Sequence, residues 1–493
     1  MPDESTKGGF WSTLNTWFNR HTLLRKILYG VGTLALLPLF WALVADVIKP
    51  KIISMLSVDK VTILMPVQGD PRPTDESNLP FEDKISNDIV QTLSNAKSAF
   101  ELKNQVRVGP EDEKVKFVTY PEGRNADERL QIARAQIAQA ASEKRPVVAI
   151  IGHTTSQATL DTSAVYADNG ISVLIPYATK SGIAEEVSRP GANGKRVPRA
   201  LAFPPSNKSQ AKSIADFLRD RGARSIVVFR DAANRAYSDD CANELVKILE
   251  NDATADGKTP IEVVADVAVG GEFGRWYNTQ DVTLANADAY VIISMAKPSL
   301  EIVRQVVRSP FPTWPKFIVL TDGAIDDYLV PRISRTLQTH VCIPPCKKDE
   351  EKFVKFPPVY IFFPESDVQP KGYETIFKQG NGVRGLSHSA YLKDAIFVAY
   401  AVARDTLETA TRGNAAAIFA KKLDDFIGYN GPVPTVTGAK LLGPSRYYTF
   451  LKTGSRASDA AYTLFQLDPQ TLHDPAQQGY IHPTSFSNAD ITH

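Results

Sequence analysis

Short aliphatic runs bounded by polar and turn-forming positions recur along most of the chain. They alternate with segments whose apolar residues fall three and four positions apart. The runs Val147–Ile151 and Ile171–Ile175 are apolar almost throughout, which is the pattern of strands covered on both faces, and Val61–Pro66 and Val115–Tyr120 read as further strands. Between them, Ala126–Ala141 (ADERLQIARAQIAQAA) sets Leu130, Ile132, Ala133, Ile137 and Ala140 on one side and predicts an amphipathic helix. The alternation restarts after Phe203-Pro204-Pro205. Helices are predicted over Ser209–Arg221, Cys241–Glu250 and Leu300–Val307, and strands at Ser225–Phe229, Ile261–Val269, Ala289–Ser294 and Lys316–Leu320. A further strand is expected at Val359–Phe363 and a long apolar helix over Ser389–Thr411. Two series of alternating strands and helices predict an α/β chain with two doubly wound, Rossmann-like lobes. The Pro-, Asp- and Glu-rich stretch Asp70–Lys84 reads as an extended surface loop, and 468–493 as a polar peripheral tail.

In an open parallel sheet, the groups just beyond the carboxyl ends of the strands face the ligand crevice. The segment VVAIIGHTTSQATLDTSAVYADNGISVLIPYAT, Val147–Thr179, ends each of its two strands in small hydroxyl residues, with no glycine-rich phosphate loop. Thr154, Thr155, Ser156, Ala178 and Thr179 are expected to meet at one cleft. They form a set of neutral donors and acceptors with no nucleophile beside an evident base, which suits reversible binding of a small polar ligand. Ser156 also fits the position of a helix cap, and Asp322 further along fits a turn.

Other chemistry is excluded or reduced. Lys+Arg number 56 against 55 Asp+Glu, a net charge of +1, so no basic surplus points to nucleic acid. No G-x-S-x-G elbow, P-loop or H-E-x-x-H motif occurs, and no enzyme activity or cofactor is expected. Gly380-Asn381-Gly382-Val383-Arg384-Gly385 has dinucleotide-fingerprint spacing but does not follow the first strand of a unit, and it reads as a loop. Cys342 and Cys346, in HVCIPPCKK, fit either a short disulfide loop or two free thiols. With His340 they leave a structural zinc one ligand short, so no metal is expected.

The N-terminus carries a different signal. Ile27–Ala45 (ILYGVGTLALLPLFWALVA) holds no charged residue, and a helix of that length matches a hydrocarbon core of about 30 Å. A transmembrane helix over 27–48 is expected, with 1–26 as a cytoplasmic tail and the large C-terminal part outside the cytoplasmic membrane. Arg20, Arg25 and Lys26 before the span against Lys49 and Lys51 after it give this orientation a slight bias. A cleaved signal peptide is the alternative.

Seven pieces in order carry a family resemblance: VVAIIGHTTS, VYADNGISVLIPYAT, RALAFPPSNKSQAKSIADFLRDRGARSIVVFRD, ADAYVIISMAKPSLEIVRQV, KFIVLTDG, AYLKDAIFVAYAVA and VTGAKLLGPSRYYTF. Together they resemble the type I periplasmic binding proteins, specifically the branched-chain amino-acid-binding group shared with bacterial receptors, over about Val61–Leu467. The resemblance implies two lobes joined by a three-crossing hinge. Lobe one would be 61–202 with 359–429 and lobe two 203–358 with 431–467, with crossings near Phe203–Ser206, Phe356–Val359 and Tyr429–Pro434.

It also implies ligand-binding residues. Ser156 falls where a serine receives the ligand carboxylate, and Ala178 and Thr179 where backbone and hydroxyl groups meet carboxylate and ammonium. Tyr237 matches a second-lobe tyrosine, with Ser238 in place of the glycine that commonly follows, and Asp322 falls where an acid neutralises the ammonium. Met295 stands where an aromatic residue commonly closes over the amino group, and Lys180 adds a positive charge, so the expected ligand shifts away from a plain amino acid. The implied role is capture of a small polar ligand for an ABC permease. The alternatives are a sensor acting through a membrane partner and an anchored α/β enzyme.

Overall fold

The structure, a computed structural model, describes residues 58–67, 114–190, 194–195, 197–255, 260–269, 287–308, 314–324, 357–364, 388–411, 413–427, 433–434, 447–448, 462–467 and 482–483. The chain divides into two compact units, the smaller made of 1–58 and 410–413, in which Val58 N donates to Ala410 O at 3.3 Å. Both large sheets and their helices belong to the other unit.

The first sheet contains β1 (Val61–Val67), β2 (Val115–Pro121), β3 (Val147–Ile151), β4 (Ser172–Ile175) and β5 (Ala200–Ala202), in the order β2-β1-β3-β4-β5. Every pairing in it is parallel. Among the described residues its crossover helices are α1 (Ala126–Ser142), α2 (Ser156–Asp168) and α3 (Ile183–Val187). The apolar strand runs follow from this burial: Leu64, Ile150, Val173 and Ile175 point into a core with Ala133, Ala140, Val165 and Tyr166, while the alternate residues Ile63, Ala149, Ile151 and Leu174 are buried on the other face. Asn125 caps α1, accepting from Glu128 N at 3.0 Å, and Glu128 reaches back to Arg124 N, so two N-terminal donors of that turn are satisfied.

The second sheet repeats the order. Its strands β6 (Ser225–Asp231), β7 (Glu262–Val269), β8 (Ala289–Ile293), β9 (Phe317–Leu320) and β10 (Val359–Pro364) run β7-β6-β8-β9-β10, all in parallel. A small ladder pairs β11 (Val433–Pro434) with β12 (Tyr447–Tyr448). Then β13 (Tyr462–Leu467) and β14 (His482–Pro483) extend the β10 edge in antiparallel fashion. The helices α4 (Asn207–Asp220), α5 (Arg235–Ala255) and α6 (Ala296–Arg308) link this half. Phe217 of α4 packs edge-on against Phe317, Tyr360 and Phe362, with ring centroids 5.5, 4.9 and 5.7 Å apart. Pro298 falls in the first turn of α6, where its missing N–H has no helical partner to lose.

Two differences from the sequence expectation stand out. The strand at Val359 joins the second sheet, with Val359 in register with Ile318 and with Leu467, and not the first-lobe group with which 359–429 was placed. Its aromatic residues Tyr360 and Phe362 are drawn to the Phe217 cluster, and among the described residues that follow, α7 (His388–Leu407) and α8 (Ala415–Ile427) are back at the first sheet. These two helices pack on β1, β3 and β4. The second difference is that α5 starts at Arg235 and not at Cys241, which places Tyr237 on its first turn.

Among the described residues no helix is long and apolar enough to cross a membrane. The expected span Ile27–Ala45, and the residues Cys342 and Cys346, lie outside the described residues.

Candidate functional site

Each sheet has a point where strand order reverses, between β1 and β3 in the first and between β6 and β8 in the second. Ligands of open α/β sheets bind at such points, beyond the carboxyl ends. At the first, the chain leaving β3 passes through Gly152, His153 and Thr154 to Thr155, which caps α2 by accepting from Ala158 N at 3.1 Å. The cap is therefore Thr155. Ser156 is the opening residue of α2, 1% exposed, with its Oγ 3.3 Å from Lys180 N. Beyond β4, Ala178 is buried in the first-lobe core, and Thr179 is buried with its carbonyl accepting Asn207 N at 2.6 Å. Ser156 and the 178–180 loop are thus adjacent, at the positive end of α2.

At the second switch point, Asp231 closes β6 and is buried, accepting Ala233 N at 2.9 Å and Met295 N at 3.2 Å. Its carboxylate spans the gap between the ends of β6 and β8. Asn234 donates to Met295 Sδ at 3.7 Å, while its own buried Oδ1 has no hydrogen-bond partner. A buried amide oxygen without a donor is costly, so an acceptor stands ready in this crevice.

Tyr237 and Asp322 come together: Tyr237 OH donates to Asp322 Oδ1 at 2.6 Å, and Gly323 N donates to the same oxygen at 2.9 Å. Burial, and then the Asp322 charge, push the Tyr237 phenol well above its usual pKa, so it is a standing donor. Met295 is half-buried beside Asn234. Lys180 is held by an ion pair, its Nζ 2.5 Å from Glu186 Oε2, and so its charge is already matched.

The two halves are linked directly. Ala236 N donates to Gln157 Oε1 at 3.3 Å, joining the starts of α5 and α2, and Ser181 N donates to Asp240 Oδ2 at 2.8 Å. Asn207 connects further, its side chain donating to Tyr237 O at 3.1 Å and to Asp240 Oδ2 at 3.0 Å.

Sequence patterning did not single out Glu122, His153, Asp231 or Asn234. Each stands at or just past the end of a strand, and that placement is the signal by which they could have been found. Glu122 accepts from His153 Nδ1 at 2.6 Å, from Thr154 N at 3.0 Å and from Thr154 Oγ1. Burial pushes its carboxyl up, but the bonds from His153 and Thr154 outweigh this and hold it below its ordinary value. Among the described residues no His, Cys, Asp and Glu cluster could hold a metal ion.

No family model matches the chain, and a search of curated proteins finds no match. Solved structures do match it. An ABC transporter substrate-binding protein from Desulfitobacterium hafniense, in complex with Leu, is 15% identical over 86% of this chain and 98% of its own, with a TM-score of 0.51. A type 1 periplasmic binding protein from Bordetella pertussis Tohama I is 15% identical over 86% of this chain and 100% of its own, with a TM-score of 0.55. An ABC transporter solute-binding protein from R. palustris, in complex with 4-hydroxybenzoate, is 12% identical over 83% of this chain and 93% of its own, with a TM-score of 0.54. At these identities the likeness shows the fold, and the fold of this chain is that of the type I periplasmic binding proteins.

Proposed function

We propose that the chain is an extracytoplasmic solute-binding protein. It takes a small polar ligand bearing a carboxylate, an amino acid or a related compound, between its lobes and presents it to an ABC-type transporter. One observation carries this reading. Ser156 and Thr179, hydroxyl residues at the first switch point, are joined through Gln157 and Ala236 to a second switch point that holds Asp231, the unpartnered Asn234 Oδ1 and the Tyr237–Asp322 pair. The first half offers hydroxyls at a helix N-terminus, which suits a carboxylate. The second offers acceptors, which suit an ammonium or hydroxyl. Leu and 4-hydroxybenzoate, named with two of the structural neighbours, both carry a carboxylate and a second polar group, the α-ammonium in one and the para hydroxyl in the other.

The charge-free run Ile27–Ala45 supports anchoring in the cytoplasmic membrane, with the lobes outside. Thermal unfolding of the detergent-solubilised full chain, with the L-amino acids and a series of aliphatic and aromatic monocarboxylates, tests the reading. A true ligand at about 100 times its Kd adds about 3 kcal/mol of stability. Absence of any shift across both series refutes it.

A further inference from the structure

Glu122 lies at the exit of β2 and is 8% exposed. Both its oxygens are spent on two consecutive residues leaving β3, His153 and Thr154. Behind them, His153 Nε2 lies 2.7 Å from Tyr166 OH and 2.8 Å from Thr162 Oγ1, both on α2. His153 thus meets the carboxylate through Nδ1 and the two α2 hydroxyls through Nε2, and Thr162 Oγ1 has Ala158 O at 2.8 Å as an acceptor. Tyr166 OH in turn lies 3.4 Å from Tyr120 OH. One carboxylate and one imidazole therefore join the ends of β2 and β3 to the middle of α2, and Ser156 sits between the two anchored points. Burying such a charged, fully bonded group costs desolvation that an apolar pair filling the same space would avoid. What it provides instead is a fixed direction for the turn.

We propose that Glu122, acting through His153 and Thr154, is a positioning residue that fixes the turn carrying Ser156 and thereby sets ligand affinity. This rests on the reading of Ser156 as a ligand contact. The test uses the full chain with Glu122→Ala, Glu122→Gln and Thr154→Val, read by hydrogen exchange of the peptides covering 151–160 and 225–250 and by affinity for L-leucine and 4-hydroxybenzoate. In Glu122→Ala the 151–160 peptide exchanges about tenfold faster and affinity for whichever probe binds falls about tenfold, with 225–250 unchanged. Glu122→Gln, whose carbonyl keeps the acceptor for His153 and the Thr154 amide, stays near the wild type in both. Unchanged exchange at 151–160, or equal acceleration of both peptides, overturns the proposal. If Glu122→Ala does not fold, Thr154→Val decides in its place, and no acceleration at 151–160 in that variant overturns the proposal. If neither probe binds the wild type, the exchange arm still decides, so a failure of the ligand reading is distinguishable from a failure of this one.

Discussion

Tyr237 on the first turn of α5 donates its phenolic hydrogen to Asp322, just past β9, across 2.6 Å, in a setting where both residues are buried. The two were expected as separate ligand contacts, and in the structure each is the other's partner. A hydrogen bond to a buried charged group contributes about 1.5–3 kcal/mol. Tyr237→Phe is expected to lower unfolding stability by about that amount in urea denaturation. Ultraviolet titration should show one more tyrosine un-ionised well past the usual pKa of 10.0 in the wild type than in Tyr237→Phe. A variant as stable as the wild type would show that the pair is held by its surroundings alone.

Glu122 makes stability depend on acid. Its folded-state pKa lies below the ordinary 4.5, so on acidification the unfolded chain takes up its proton first. The stabilisation is complete above about pH 4.5 and is lost as pH falls through the lowered value. Unfolding free energy is expected to fall more steeply on acidification in the wild type than in Glu122→Gln. Parallel curves would remove Glu122 from the acid transition.

Phe217 ties α4 to β9 and β10 through three edge-on aromatic contacts. Phe217→Ala removes a nearly buried ring from that junction and should cost about 3–5 kcal/mol. Limited proteolysis near Val359 should then accelerate, since the same ring packs Tyr360 and Phe362. Cleavage at the wild-type rate would contradict the placement of this strand in the second sheet.

Gly152 has φ +150°, and a Cβ there would stand 2.6 Å from Pro66 Cγ at the exit of β1. Gly152→Ala must therefore distort the neighbouring strand ends as well as its own backbone. A loss of more than about 1 kcal/mol in chemical denaturation is expected, along with faster hydrogen exchange at Met65–Val67. A neutral substitution would mean that these two strand ends are loosely packed.

The strands were legible because burial on both faces leaves no polar positions inside a run, as at Val147–Ile151. Helices were legible where an apolar stripe faces a sheet, as in Ala126–Ala141. The sheet to which Val359–Pro364 belongs was not legible, because an apolar run reports burial and not its neighbour. The neighbour was decided by the distant Phe217. The first turn of α5 escaped notice because Arg235 and Ala236 carry no stripe. At the site, hydroxyls at strand exits could be found from local sequence, whereas Glu122 and His153 act as a pair only after β2 and β3 are set on either side of β1, and no spacing rule encodes that.

The link between the starts of α2 and α5 has a consequence for substitution. Its donor is the main-chain amide of Ala236, and only its acceptor, Gln157, is a side chain. Position 236 can therefore vary widely so long as proline is excluded, while position 157 must keep an acceptor of the same reach. The two ends of one bond thus carry unequal mutational burdens, and an engineer wishing to loosen the lobes should work on Gln157 and leave Ala236 alone.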